Sequence, residues 1–264
     1  MSGESDGTDY DLDAGPDPAD VAAAAPEPDA PSDPVAAVGI GPGNPEYLAP
    51  RAERAIREAD VLVGFETVVE FAREALSERG DGLGDTEVLA CGYRDEAAAL
   101  EAFADRVAAG ARGTAALMGD PNHSGYQFVG KVERAVDRPV RVVPGVSSLQ
   151  VAASRARTPM EDALFVTLHR SGDLGPDLDR LRSAVGERHL LVLPRPFDWM
   201  PGDVAATLLA AGAAPDLQAL VCERLTHGDE AITRTTLGDL ADRAGGGREE
   251  TPFSDLSVLV VRRE

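Results

Sequence analysis

Val35-Ala36-Ala37-Val38-Gly39-Ile40-Gly41-Pro42-Gly43-Asn44-Pro45 is a short apolar run that drops into a turn holding three glycines in five residues. The run reads as a buried strand. Glycines allow backbone shapes and close approaches that a β-carbon forbids. A turn of this kind at the carboxyl end of a first strand is where α/β proteins place a ligand. The familiar dinucleotide fingerprint, GxGxxG, does not fit. Gly39 and Gly41 start it, but the third glycine falls on Asn44. Pro42 and Pro45 also delay the helix whose N-terminus should hold a pyrophosphate. Glu66 falls near the place of a ribose-binding acid, a cheap coincidence in so acidic a chain. No Gly-Lys-Ser/Thr occurs, which excludes a P-loop.

Outward from this turn the pattern alternates. Strands are predicted at 35–39, 61–63, 86–90, 113–118 and 140–143, with helices at 47–59, 67–78, 95–109, 125–136 and 148–156. Beyond the hinge Thr158-Pro159 the character shifts. Strands near 163–168, 189–193, 218–222, 231–236 and 256–262 are separated by fewer helices, at about 177–185, 203–211 and 237–243. Residues 35–157 read as a mostly parallel α/β domain and residues 158–264 as a second α/β domain with a mixed sheet. Residues 1–34, rich in Asp, Pro and Ala without periodicity, read as a disordered acidic tail. Such a tail either solvates the protein or binds a charged partner.

The charge narrows the function classes. The 264 residues carry 46 acidic and 25 basic side chains, a net charge of −21. Lys131 is the only lysine, and residues 1–34 hold ten carboxylates with no Lys or Arg. Such a surface repels nucleic acid and anionic membranes. It suits a salt-loving source, because salt screens self-repulsion; GC-rich coding also favours Arg, Ala, Gly and Asp. Cys91 and Cys222 lie far apart, giving neither a metal motif nor a disulfide framework. No apolar segment approaches the ~20 residues of a membrane span, and no signal peptide is recognisable. The expectation is a cytoplasmic protein.

Two further turns repeat the theme. Leu117-Met118-Gly119-Asp120-Pro121 ends a predicted strand with an acid at its tip, and Val142-Val143-Pro144-Gly145-Val146-Ser147-Ser148 opens into a helix with two hydroxyls. Taken singly, each has an ordinary structural reading as a tight turn, with Asp120 or Ser147 as helix cap.

Taken together, in this order and spacing, the three motifs resemble the tetrapyrrole (corrin and porphyrin) methyltransferases over about residues 35–262. Within that family the stretches Gly39–Leu48, Ala59–Gly64, Ser147–Ala153, Val166-Thr167-Leu168-His169 and Val221–Leu225 with Glu230 are most similar to the precorrin-7 C5-methyltransferases. The resemblance implies a two-domain α/β fold with the site between the domains. It implies S-adenosylmethionine as cofactor and precorrin-7 or its cobalt complex as substrate. It also implies a homodimer and a separate protein for C15 methylation and decarboxylation. By motif position, it assigns cofactor contacts to Pro42, Met118, Gly119, Asp120, His123, Ser147, Ser148 and Leu225, with a further group near Pro194. Asn122-His123-Ser124-Gly125 departs from the small or aromatic residue many members carry after Gly-Asp-Pro.

The substrate implied carries several carboxylates, which arginine forks suit. Candidates are Arg94, Arg155, Arg170 and Arg195, with His169 as a neighbour and Gly41 and Gly43 lying close to the macrocycle. Each arginine could equally be a surface ion pair. His189 and His227 read as structural. No metal is called for, and no base is readable. Two alternatives stay open: another member of the family, acting on uroporphyrinogen III or diphthine, and a non-catalytic module binding a nucleotide or an acidic partner.

Overall fold

A computed structural model describes residues 17–24, 33–80, 82–245 and 251–263. The chain builds two five-stranded sheets. In the first, β1 (Val35–Gly39), β2 (Val61–Phe65), β3 (Glu87–Cys91), β4 (Gly113–Leu117) and β5 (Val140–Val143) lie in the order β3-β2-β4-β1-β5, all parallel. The central strands are apolar along their length, as burial on both faces requires. One face packs against α4 (Glu96–Ala108) and α5 (Tyr126–Ala135) around Phe103, Val107 and Val132. The other packs against α2 (Pro50–Arg57) and α3 (Glu66–Glu78) around Ile56, Ala72 and Leu76.

The second sheet runs β6-β7-β10-β8-β9, from β6 (Ala163–Thr167), β7 (His189–Leu193), β8 (Gln218–Glu223), β9 (Ala231–Thr236) and β10 (Ser257–Val261). Only β6 and β7 are parallel; the other pairs are antiparallel. This is the mixed sheet expected. One face is covered by α7 (Gly175–Ala184), α8 (Pro201–Ala210) and α9 (Leu237–Ala241). The opposite face takes α6 (Ser148–Ala156), with Leu149, Ala152 and Ala153 against Leu191, Leu220 and Val260. By packing, α6 goes with the second sheet, so the chain crosses between the two layers within Pro144–Ser147.

Two expectations need correction. The helix read over 47–59 is a 3-10 turn, Pro45–Tyr47, followed by α2. Pro50 forces Ala49 to an extended ψ of 142°, which breaks the helix there. The helix read over 125–136 stands as α5, and one π turn, Pro121–Gly125, precedes it. Within the acidic tail, Asp17–Ala24 carries α1 (Pro18–Ala22), capped by Asp17, whose carboxylate accepts from Ala19 N at 2.8 Å. It lies on α5, where Gly130 leaves no room for a β-carbon beside the Pro18 carbonyl. Residues 1–16 and 25–32, also read as tail, lie outside the described residues.

Candidate active site

β4, β1 and β5 are neighbours, and the register sets Leu117 opposite Gly39. Val38 pairs with Val143, so Pro144 stands level with Gly39. The three turns therefore leave the sheet side by side, at one carboxyl edge. Their backbones interlock. Gly41 N donates to Gly119 O at 3.2 Å, and Gly119 N donates to Gly41 O at 2.8 Å. Gly119 is left-handed at φ +66°. A β-carbon on Gly39 would lie 2.5 Å from Gly119 O and 2.7 Å from Gly145 N. In the sequence, the glycines of the opening turn read as room for close approach to a ligand. The structure uses Gly39 and Gly145 to press loop against loop.

Gly43, at φ +128°, faces protein as well: a β-carbon there would run into the His227 imidazole. His227 belongs to the turn after β8, which also carries Leu225. In this turn Arg224 and Thr226 both adopt positive φ, 44° and 71°. A β-branched residue in that region is strained and needs external restraint. Glu230 supplies it, accepting from Thr226 N at 2.8 Å and from Arg155 at 2.6 and 3.2 Å. Asn44 adds a bond to Thr226 O at 3.4 Å. The glycine turn of the first sheet is thereby docked on a strained turn of the second.

The polar residues divide into caps and free groups. Asp120, 8% exposed, caps the π turn by accepting from Asn122 N at 3.0 Å and Asn122 Nδ2 at 2.7 Å. Ser147 caps α6, accepting from Leu149 N at 3.2 Å, while Gln150 Oε1 accepts from Ser147 N at 2.8 Å. The ordinary reading of both as caps is therefore realised, beside any ligand role. The Ser148 hydroxyl, half-buried, bonds to no described residue. His123 stacks on Phe165 of β6, centroids 5.6 Å apart and planes 9° from parallel. Its Nδ1 is buried without a partner, as is Thr167 Oγ1, and both residues line one cavity of about 130 Å3 with Asn122, Leu149, Asp177 and Arg180. Phe165 was not singled out in the sequence, and Thr167 only as part of the segment Val166–His169, not as a site residue. The signal available was a lone hydroxyl inside the apolar run Leu164–Leu168.

Of the remaining candidates, Met118 is 40% exposed beside Gly119, whereas Pro42 and Pro194 are buried. Leu225 is 4% exposed in the core beneath α6. Three candidate arginines are committed to carboxylates. Arg155 pairs with Glu230, Arg195 with Asp198, and Arg170 with Asp177 at 2.8 Å and Asp17 at 3.6 Å. Arg94 is exposed and makes no ion pair with a described residue. His169, in the exposed turn after β6, has its pKa lowered by the protein around its ring, with Asp255 acting the other way. His189 accepts from Arg263 N at 3.1 Å, a structural role.

The chain matches the tetrapyrrole (corrin/porphyrin) methylases across residues 34–241. It belongs to that family. A probable cobalt-precorrin-7 C(5)-methyltransferase of Methanocaldococcus jannaschii is 26% identical over 227 residues, 84% of this chain and 95% of that protein. A uroporphyrinogen-III C-methyltransferase of a Sinorhizobium species is 30% identical over 246 residues, 86% of this chain and 83% of that protein. Among solved structures, the methyltransferase CobJ superposes with a TM-score of 0.67 at 21% identity, covering 88% of this chain and 95% of its own. A uroporphyrin-III C-methyltransferase of Thermus thermophilus, solved with S-adenosylhomocysteine, gives 0.62 at 22% identity over 87% and 92% of the two chains. The two-sheet α/β fold expected from the sequence is the fold of these methyltransferases. Among the described residues no helix is long and apolar enough to cross a membrane.

The residues present suit the methyl donor of such enzymes. S-adenosylmethionine carries an amino-acid end and ribose hydroxyls that need buried polar partners. Orphaned buried atoms otherwise cost of order 1–3 kcal/mol each, and His123 Nδ1 and Thr167 Oγ1 stand unpaired beside the Gly-Asp-Pro turn.

Proposed function

We propose that this family member is the C5-methyltransferase of corrin synthesis, acting on precorrin-7 or its cobalt complex with S-adenosylmethionine. The observation that carries the methyl-transfer reading is the interlocked edge of β4, β1 and β5, which brings three separated motifs to one place. The C5 assignment is supported by the Methanocaldococcus relative and by the segments Val166–His169 and Val221–Leu225 with Glu230. Asp120, Ser148, His123 and Thr167 would hold the cofactor, with Met118, Gly119, Ser147, Pro42 and Leu225 shaping its walls. When bound, S-adenosylmethionine supplies an electrophilic methyl group.

The protein's own task is to fix two reactants in attack geometry and exclude water, which lowers the barrier without a covalent nucleophile. The restrained turn Arg224–Glu230 serves this end, since Glu230 and Asn44 hold it against the glycine turn. The net charge of −21 supports a protein that works in high salt. A homodimer is part of the same proposal.

Calorimetry with S-adenosylhomocysteine, at low and multimolar KCl, tests the cofactor. Incubation with cobalt-precorrin-7, followed by mass spectrometry and NMR of the product, tests the position. A single added methyl at C5 is expected. Methylation of uroporphyrinogen III instead would move the chain to the sirohaem branch, and absence of S-adenosylhomocysteine binding would sink the enzyme reading altogether.

A further inference from the structure

The carboxyl edge of the first sheet continues past the three turns, and there it carries an aromatic shelf. Phe65 pairs with Cys91, and Val63 pairs with Ala115, so Phe65 stands level with Leu117 one residue before Met118. Tyr93 leans on Phe65 with ring centroids 5.0 Å apart, and Phe65 rests on Phe128 of α5 at 5.6 Å. Tyr93 is nevertheless 80% exposed, and neighbouring Met118 is 40% exposed. An aromatic ring braced by a second that itself rests on a third, with its outer surface in water, is a preformed platform. Aromatic faces of this kind bind flat ligands at small entropic cost.

Arg94 follows Tyr93 in the same turn. The turn is fixed from below: Gly92 N donates to Asp95 Oδ1 at 2.7 Å, and the buried Glu96 that follows pairs with Lys131 at 2.5 Å. Arg94 is therefore presented from a rigid base, while Arg155, Arg170 and Arg195 are neutralised by carboxylates. On the other side of Phe65 stands Glu66, which borders a separate hollow at the start of α3 together with the ion pair Glu70–Arg73. An anionic ligand on the shelf is repelled by Glu66 and drawn toward Arg94.

Resting on the tetrapyrrole reading above, we infer that Phe65, Tyr93 and Arg94 form the seat of the macrocycle. One face of the ring system lies on Tyr93 and Met118, and a peripheral carboxylate meets the Arg94 guanidinium. The macrocycle then occupies the β3-β2 part of the edge and the methyl donor the β4-β1-β5 part, with Met118 between them. Tyr93 and Arg94 are binding and specificity residues, outside the cofactor contacts.

The test titrates the full-length protein with uroporphyrin III, a carboxylated porphyrin, following its Soret band, beside calorimetry with S-adenosylhomocysteine and sedimentation velocity. Tyr93→Ala is expected to weaken porphyrin binding about tenfold, with Tyr93→Phe close to wild type. Arg94→Gln is expected to weaken it and flatten its dependence on salt. Neither change should alter S-adenosylhomocysteine affinity. Unchanged porphyrin affinity in Tyr93→Ala and Arg94→Gln overturns the inference and leaves the proposed function standing. A changed sedimentation coefficient in Tyr93→Ala overturns it too, because the shelf is then an interface between copies of the chain. Wild-type protein that binds S-adenosylhomocysteine but neither uroporphyrin III nor cobalt-precorrin-7 removes the proposed corrin substrate, and the shelf with it.

Discussion

Gly39 and Gly145 press together so closely that neither has room for a side chain: a β-carbon on Gly39 would stand 2.7 Å from Gly145 N, and one on Gly145 2.8 Å from the Gly39 carbonyl carbon. Both neighbours are backbone, so neither can swing aside. Gly119 wedges against the same point through its carbonyl oxygen. The three motifs are thus a single mechanical unit, in which displacing one turn displaces the others.

Gly145→Ala and Gly39→Ala should each destabilise the protein by about 1–3 kcal/mol, the usual range for overpacking. Each should also weaken S-adenosylhomocysteine binding, because Asp120 and Ser148 ride on the displaced turns. Gly228→Ala is the control. It has open space around it and no left-handed φ, so its effect should stay within about 0.5 kcal/mol. Chemical denaturation and calorimetry read both quantities.

A second prediction concerns the pair Gly43 and His227. Gly43→Ala drives its methyl into the imidazole and also strains a φ of +128°. His227→Ala removes the first cost and leaves the second. The double variant should therefore be more stable than the sum of the two single changes, by about 0.5–3 kcal/mol of coupling. Strict additivity in a denaturant double-mutant cycle would remove the contact from the account.

Much of the frame is legible in the sequence. Among the described residues the central strands fall where the apolar runs lie, because parallel central strands such as Val61–Phe65 must be apolar on both faces. The three turns were legible as a set through their glycines and order. Contacts across long sequence separations were not. Nothing local says that Gly43 meets a histidine 184 residues later, or that Arg155 is claimed by Glu230 instead of by a ligand. Asp17–Ala24 looked structureless because its composition is acidic; the flat spot made by Gly130 on α5 decides its place. The allegiance of α6 was hidden for a similar reason. Its apolar face is the same whichever sheet it covers, and only the capping at Ser147 and the packing on Leu220 fix the answer.

The acid limb of stability should depend on Glu230. Its carboxyl pKa is lowered, first by the hydrogen bonds from Arg155, with the Thr226 N–H assisting and desolvation opposing. A lowered folded-state pKa gives stability above the unfolded-state value, about 4.3 for Glu. That contribution fades as pH falls through the lower folded value. Glu230→Gln should lower Tm at pH 7 and reduce the fall in Tm between about pH 5 and 3. Parallel Tm–pH curves for the two proteins would contradict this role.

Both cysteines should be inert in the native state. Burial pushes the Cys91 thiol up to about 12, with Glu96 adding to it, and the Cys222 thiol up to about 11, with Glu230 adding. The thiolate is the reactive species, so Ellman's reagent at pH 8 should label neither thiol on a timescale of minutes. Both should react on unfolding. Rapid labelling of one thiol in native protein would mean that its strand end opens.

Lys131 and Glu96 give the sharpest energetic prediction. The only lysine of the chain sits on α5, 11% exposed at its side chain, and meets Glu96 at the start of α4 at 2.5 Å. Among the described residues Glu96 Oε1 is buried without a partner, and Lys131 is the cation that meets this carboxylate. Lys131→Met strands a buried charge and should cost about 3–5 kcal/mol, whereas replacing both members together is often neutral or stabilising. Lys131→Met with Glu96→Leu should therefore recover most of the loss in a denaturant titration. If the seat at Tyr93 and Arg94 depends on the charge as well as the packing, the recovered protein would still bind uroporphyrin III more weakly than wild type. If packing suffices to hold the Gly92–Glu96 turn, stability and porphyrin affinity should return together. That second outcome is the one expected, since Asp95 fixes the turn independently through Gly92 N at 2.7 Å.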